Sequence, residues 1–416
     1  MQKEIEGRIN SFELEREVKL NGKIKLSIDK GKSFMVGHTY LKGIINVMRS
    51  NVVIDGSNAQ IEAEIADCTA SDWCLFFVHP QARNVHFKNM NIRVRIDNAE
   101  DSNRLFAAIY NTAFGLKLTN CHIEVYSEKQ NNIVGVYNNG NLDTHMETRA
   151  DNLVIDNCQI KVECLASEFP KESTTYGLYN NLANSISMQN TYIYSTNRGN
   201  CERQKAIGVY TNGRFGRFVG NNIKANGTHN KGFEKEQAHA YGFINEGMYS
   251  IITSNNIVGE WSGKSVGLEN KGSYTIVNSN KILSTHTICG RTVINSGINN
   301  HIESNVITST SRNARLIEHS GAWCIISRNI MEVLMPEETL HSGCGIYAVD
   351  EYSKENIISE NIIRNVLDVG IFANESIGEI RQNKVCSFVR TIEKAGTENS
   401  HLTDKLDERN IRSIKE

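Results

Sequence analysis

Hydrophobic and polar positions alternate with a period of two through most of the chain, in short runs broken by Asn, Gly and Ser. Runs such as LKLTNCHI, LVIDNCQI, IITSNNI and IISENII join a short apolar segment through an Asn to a following Ile. The alternation is the pattern of strands with one buried face. No segment sustains a 3.6-residue periodicity long enough for a βαβ crossover. Most runs reach an Asn followed closely by Ile or Val. The anchoring asparagines are Asn89, Asn120, Asn157, Asn190, Asn221, Asn255, Asn280, Asn305, Asn329, Asn361 and Asn383, separated by 31, 37, 33, 31, 34, 25, 25, 24, 32 and 22 residues. A core unit of about 22 to 25 residues with insertions of variable length generates this series.

A second element recurs once per unit: a small residue, an aliphatic, a large residue, then usually Asn. Its copies include Ala108–Asn111, Gly135–Asn138, Gly177–Asn180, Gly208–Thr211, Gly242–Asn245 and Gly267–Asn270, with weaker copies at Thr292–Asn295, Arg315–Glu318, Gly345–Ala348 and Gly370–Ala373. A unit of this length accommodates three strands of about three to five residues and closes into one triangular coil. Coils then stack at the spacing of paired strands, about 4.8 Å.

On these repeats, residues 40 to 390 resemble the right-handed parallel β-helix of the pectin-lyase-like superfamily. The expected fold is all-β: a single-stranded right-handed parallel β-helix of about twelve coils with three short strands each. Residues 41–390 form the solenoid in this reading, with 1–40 as an N-terminal cap and 391–416 as a charged C-terminal cap or tail. Caps are expected because the open ends of a stack expose edge strands. The superfamily hosts many functions, so the resemblance implies fold rather than chemistry. Its hydrolases work with two carboxylates, and its acidic-polysaccharide lyases with a Lys or Arg base and calcium or another charge. The pectate-lyase RxPxxR, the polygalacturonase NTD, DD, GHG and RIK set, the alginate-epimerase DPHD and the pectin-methylesterase GxYxE and QDTL are absent. No catalytic residue transfers with the resemblance.

Stacking turns positions into columns. The second position of the recurring element is always apolar, so it points into the core. Alternation puts the first position, mostly Gly, and the third outward. The fourth, mostly Asn, turns in, where stacked side-chain amides satisfy one another. The outward third position reads Tyr110, Tyr137, Tyr179, Tyr210, Ile244, Glu269 along successive copies. A flat row of glycines beside tyrosines fits sugar rings, whose C–H faces pack on aromatics while polar rims bind hydroxyls. It equally fits a subunit interface. The long insertions mostly precede the first strand of a unit and would wall a groove over this sheet.

Candidate chemistry follows from position. Glu269 interrupts the tyrosine column and Glu246 lies about one coil away, a spacing that suits paired carboxylates. Glu318 and His319 lie two coils further on, and Arg315 stands as the charge in the glycine column, a clamp for a carboxylate. The catalytic candidates are Glu246, Glu269, Glu318 and Arg315. The substrate-binding candidates are Tyr137, Tyr179, Tyr210, Trp261, His229 and His239, the last two on a loop that also carries Glu234 and Glu236. No metal site is expected, calcium being the one weak alternative. Calcium needs an oxygen cluster, and Asp143, Glu147 and Asp151 lie close together without EF-hand spacing.

Charge narrows the partners. Lys plus Arg total 45 against 47 for Asp plus Glu, a net charge of -2, which argues against nucleic acid. No apolar run spans a bilayer. The first twenty residues lack the apolar segment of a secretory leader, so a cytoplasmic or phage-borne setting is expected. The ten cysteines form no CxxC pair and read as buried fillers in a reducing compartment. Two functions stay open. One is a glycan-cleaving lyase, glycoside hydrolase or transglycosidase binding its substrate along the tyrosine-lined sheet. The other is a non-catalytic β-helical scaffold, such as a phage tail or receptor-binding rod, whose tyrosine column is the interface of a homotrimer.

Overall fold

The structure, a computed structural model, describes residues 17–28, 32–36, 39–65, 72–96, 104–128, 132–140, 150–165, 172–198, 203–227, 238–260, 262–285, 289–311, 313–334, 343–366, 368–374, 376–387 and 390–394. It is a right-handed parallel β-helix. One coil shows the plan: a first strand Asn132–Asn139, a second Val154–Asp156 and a third Gln159–Cys164. First strands stack into a 14-stranded sheet, and second and third strands into a 24-stranded one. The latter is continuous because Glu17–Ile28 and Val53–Ile65 each run through both faces. At the N-terminal end Lys32–Val36 pairs antiparallel with Thr39–Val47. At the other end Arg390–Lys394 pairs in parallel with Val369–Ala373. Among the described residues no helix is long and apolar enough to cross a membrane.

The core is three facing columns. First strands contribute Ile109, Val136, Leu178, Val209, Phe243 and Leu268. Second strands contribute Leu118, Ile155, Met188, Phe218 and Ile252, and third strands Ile123, Ile160, Ile193, Ile223 and Ile257, all without solvent exposure. Each full burial of such a side chain contributes about 1.5–3 kcal/mol. The same inward side of the first sheet carries the fourth-position amides. Asn111 donates to Asn138 and Asn138 to Asn180, each at 2.7 Å. Asn245, Asn270 and Asn295 repeat the arrangement at 2.7 Å.

Three expectations about register change. First, the anchoring asparagines occupy two neighbouring columns. Asn89, Asn120, Asn157 and Asn190 sit at a bend with φ of 52°, 53°, 52° and 50°, and later coils place Gly220, Ser254 and Ser279 there. Asn is among the few residues that visit this left-handed region readily. Asn221, Asn255, Asn280, Asn305, Asn329, Asn361 and Asn383 stand one position further on and are buried. Each side-chain amide from Asn221 to Asn361 donates to the next Asn Oδ1 at 2.9–3.0 Å and to a main-chain carbonyl of the coil before. A buried column needs a side chain with both donors and acceptor, and Asn supplies them.

Second, the repeated glycines face inward. A Cβ on Gly135, Gly177, Gly208 or Gly267 would lie 2.4, 2.2, 2.5 or 2.5 Å from Cγ2 of Ile160, Ile193, Ile223 or Ile282. The strand turns two successive residues in, glycine then aliphatic. The outward positions are therefore the residue before the glycine and the residue two after it.

Third, the copy assigned to Arg315–Glu318 is shifted by one. Val293 pairs with Ile317, Ile294 with Glu318, and Arg291 with Arg315, so the repeating unit is Leu316–His319. Arg315 does not stand in the glycine column. Glu318 joins the tyrosine column, and His319 turns inward to the end of the amide ladder, 1% exposed and 3.1 Å from Asn295 Nδ2. Arg315 and Leu316 satisfied a loose pattern of small-then-aliphatic, but only the neighbouring strand's hydrogen bonds fix the phase.

Candidate functional site

Two outward columns run along the first sheet. One reads Phe77, Tyr110, Tyr137, Tyr179, Tyr210, Ile244, Glu269, Ile294, Glu318, Tyr347 and Phe372. The other, three residues earlier in each strand, includes Val134, Tyr176, Ile207, Tyr241, Val266, Arg291, Arg315 and Cys344. The face is aromatic in its N-terminal half, carries its charges from Glu269 to Glu318, and turns aromatic again at Tyr347 and Phe372.

The aromatic half is a packed cluster. Tyr137 and Tyr179 stack at 4.7 Å with planes 4° apart, and Tyr176 stacks on Tyr179 at 4.7 Å and 12°. Tyr110 meets Tyr137 edge-on at 4.7 Å, and Tyr210 meets Tyr179 edge-on at 4.9 Å. Such pairs contribute about 0.5–1.5 kcal/mol each beyond burial. Tyr110 is buried and its hydroxyl accepts from Asn139 Nδ2 at 2.8 Å, whereas Tyr137, Tyr176, Tyr179 and Tyr210 are half-buried. Burial pushes the hydroxyl pKa of each of them up, so all remain neutral hydrogen-bond donors. Tyr176 belongs to the second outward column. Its signal is the first Tyr of TTYGLYNN, hidden because the inward glycine was read as an outward position.

Where aromatic gives way to charged, Glu246, Glu269, Lys271 and Tyr210 gather. Glu246 follows a first strand, Ala238–Asn245, and Lys271 follows the next, Lys264–Asn270. Tyr210 donates to Glu246 Oε2 at 2.6 Å and Lys271 Nζ donates to Glu246 Oε1 at 2.9 Å. Lys271 Nζ also lies 3.7 Å from Glu269 Oε1. Burial pushes the Glu246 carboxyl up, but the hydrogen bonds from Tyr210 and Lys271 outweigh it and hold the pKa below the usual carboxylate value. Glu246 is therefore an anion at neutral pH. Lys271 was not singled out from sequence; it is the residue just after the recurring Asn of its coil. His239 lies on the same face, two residues before Tyr241, whose hydroxyl is 3.3 Å from His239 Nδ1.

Further along, two guanidinium groups converge on one carboxylate oxygen. Arg291 Nε lies 2.7 Å and Arg315 NH1 2.9 Å from Glu318 Oε2. The Arg315 guanidinium sits over the Tyr347 ring, 3.6 Å from its centroid. Arg291 also donates to the main-chain carbonyls of Gly290 and Asn313. Arg291, Arg315 and Tyr347 line one side of an open cleft of about 430 Å³, whose other walls include Cys289, Cys344, Asp368, Val369 and Phe372.

The structure brings Glu246 and Glu269 together through Lys271, and Glu318 and Arg315 together in direct contact. It keeps these two clusters apart along the sheet, with Ile294 between Glu269 and Glu318. Tyr137, Tyr179 and Tyr210 are contiguous. His229 and Trp261, with Glu234 and Glu236, lie outside the described residues, as do Asp143 and Glu147. Among the described residues no group of three or more His, Cys, Asp and Glu gathers around a position fit for a metal ion. Cys74, Cys121, Cys158, Cys164 and Cys324 are buried.

No family profile matches the chain, and no curated protein does. Solved structures do. The chain is similar to the Dettilon tailspike protein gp208, at 11% identity and a TM-score of 0.44, covering 81% of this chain and 62% of that one. It is similar to a double mutant of the tailspike protein of Escherichia coli bacteriophage HK620, at 11% identity and 0.48, covering 94% and 73%. It is also similar to PfbA, a surface adhesin of Streptococcus pneumoniae, at 10% identity and 0.48, covering 92% and 85%. The likeness is one of fold. Stacked coils with inward aliphatic columns are common to many sequences because any suitable set of aliphatic residues fills them.

Proposed function

We propose that the protein binds a glycan along the outer face of its first sheet, over Tyr137, Tyr176, Tyr179 and Tyr210. The observation that carries this reading is the half-buried tyrosine cluster on a rigid parallel sheet, ending in the polar group of Glu246, Glu269 and Lys271. Aromatic rings with neutral hydroxyls present both the apolar surface and the donors that a sugar chain needs. Their mutual stacking fixes the rings before any ligand arrives, so little side-chain entropy is lost on binding. The test is a polysaccharide and oligosaccharide binding screen with the wild-type chain and a Tyr179→Ala/Tyr210→Ala double variant. The expected result is retention of at least one glycan by the wild type and a loss of about 5- to 100-fold in affinity in the variant. If the variant keeps its glycan affinity but its oligomeric state falls, the face is an interface between copies.

Glycan cleavage is a second reading, and the juncture at Lys271 favours it. One ammonium draws the Glu246 and Glu269 carboxylates towards each other. Glu246, held ionised, serves as base or nucleophile, and Glu269 is the second carboxylate of the pair. Glu318 and Arg315 take no part in this pair because they bind each other. The wild type should release new reducing ends from the glycan it binds, and Glu246→Gln and Glu269→Gln should each abolish release while keeping the glycan bound. Release of unsaturated uronates instead would make the reaction an elimination and withdraw the paired-carboxylate assignment.

A further inference from the structure

We propose that the cleft beside Arg291 and Arg315 is a subsite for a carboxylate-bearing sugar. The inference deepens the glycan-binding reading and rests on it for the polymer, but the cleft has its own observations. Its volume, about 430 Å³, suits one or two sugar rings. Two cations approach it from adjacent coils, Arg291 and Arg315, and both spend their closest contact on a single oxygen of one carboxylate, Glu318 Oε2. A guanidinium carries five N–H donors. Arg315 gives one to Glu318, so the rest of its fork stays available for a second carboxylate. Stacking on Tyr347 holds that fork flat at the cleft wall. The Arg291 side chain is 19% exposed and the Arg315 side chain 30%, so an anion entering here is attracted through a partly desolvated medium.

The other walls say what the anion is attached to. Tyr347 and Phe372, 5.6 Å apart and tilted by 57°, with Val369 beside them, offer an apolar surface on which a ring can lie. Asp368, which accepts from the Gly343 amide at 3.2 Å, is the one acid among the cleft-lining residues. It disfavours a ligand with several negative charges, such as a phosphate ester, and suits a singly charged sugar acid with hydroxyls to donate. The subsite lies on the same outer face as the tyrosines and continues their column through Tyr347 and Phe372. A glycan running along the sheet would reach it with an acidic residue several sugars from the tyrosine cluster.

The test uses the full chain and four small probes: glucuronate, its methyl ester, glucose and acetate, with binding followed by ligand-observed nuclear magnetic resonance. Glucuronate should bind at least tenfold more tightly than the ester, glucose or acetate, and should weaken as salt rises. Arg315→Gln should remove that preference, and Arg315→Lys, which keeps the charge but not the fork, should lose most of it. Tyr347→Leu should weaken glucuronate without restoring glucose. Equal binding of glucuronate and its ester, or unchanged glucuronate affinity in both Arg315 variants with unaltered melting, overturns the proposal. The two readings fail separately. Neutral glycans held at the tyrosines with no glucuronate preference would remove the acidic subsite alone. Glucuronate held in the cleft with no polymer retained by the tyrosines would remove the longer glycan track alone.

Discussion

The N-terminal and C-terminal halves of the outer face share one backbone plan and carry opposite chemistry. In the coils of Tyr137, Tyr179 and Tyr210 the inward first position is glycine, packed against Ile160, Ile193 and Ile223. In the coils of Ile294 and Glu318 that position is Thr292 and Leu316, both buried. The aromatic half is held by rings that stack across coils, and the charged half by ion pairs among Arg291, Arg315, Glu318, Glu246, Glu269 and Lys271. Ring stacking is short-ranged and insensitive to salt, whereas partly exposed ion pairs are screened and contribute little to stability. The packing of the first half thus holds at any salt concentration, whereas the ion pairs of the second respond to salt.

The strongest way to break this comparison is at the inward first position. Gly177→Val should destabilise the chain by about 3 kcal/mol or more, because its first carbon falls 2.2 Å from Ile193 Cγ2 and the core cannot yield. Leu316→Val in the equivalent position should cost less than about 1.5 kcal/mol. Denaturant unfolding of the two variants checks it, and equal losses would mean that the halves are not packed differently.

The next effect is in acid. Desolvation lowers the His319 pKa from 6.5 to about 4, so the folded state keeps this ring neutral. The unfolded chain takes up its proton below its ordinary pKa and the folded chain does not until about 4. Stability is therefore full above about 6.5 and falls as pH drops towards 4, by up to about 3 kcal/mol. His319→Asn places the ladder residue of the preceding coil, Asn295, at this position and should flatten that acid loss. Melting temperatures of both proteins between pH 7 and 4 decide it.

A smaller effect sits at the junction of the halves. Tyr210→Phe removes the hydrogen bond that helps hold Glu246 ionised. A carboxylate with a depressed pKa stabilises the fold above its ordinary pKa and ceases to do so as pH falls through its folded value. The variant should lose about 1 kcal/mol at neutral pH, after allowance for solvent screening, and little below that range. A pH-independent loss would assign the effect to ring packing instead.

Much of this molecule is legible in its sequence. A period-two pattern determines which side of a strand is buried, and a repeat of about 22 to 25 residues with three such strands determines a stacked coil. Those two facts predicted the parallel β-helix, the inward aliphatic column, the inward amides of Asn138 and Asn180, and the outward tyrosines. The period does not determine the phase between neighbouring strands, and a one-residue change of phase exchanges the two faces. Three positions turned on that phase. Only inter-coil pairing decided that the glycines face in, that Arg315 stands beside Arg291 rather than among glycines, and that His319 lies in the core while Glu318 lies outside. Tertiary structure also decided which charges meet. Lys271 reaches Glu246 across one coil and Arg291 reaches Glu318 across another. Contacts between residues 25 and 27 positions apart depend on insertions and register, which a hydrophobic pattern does not encode.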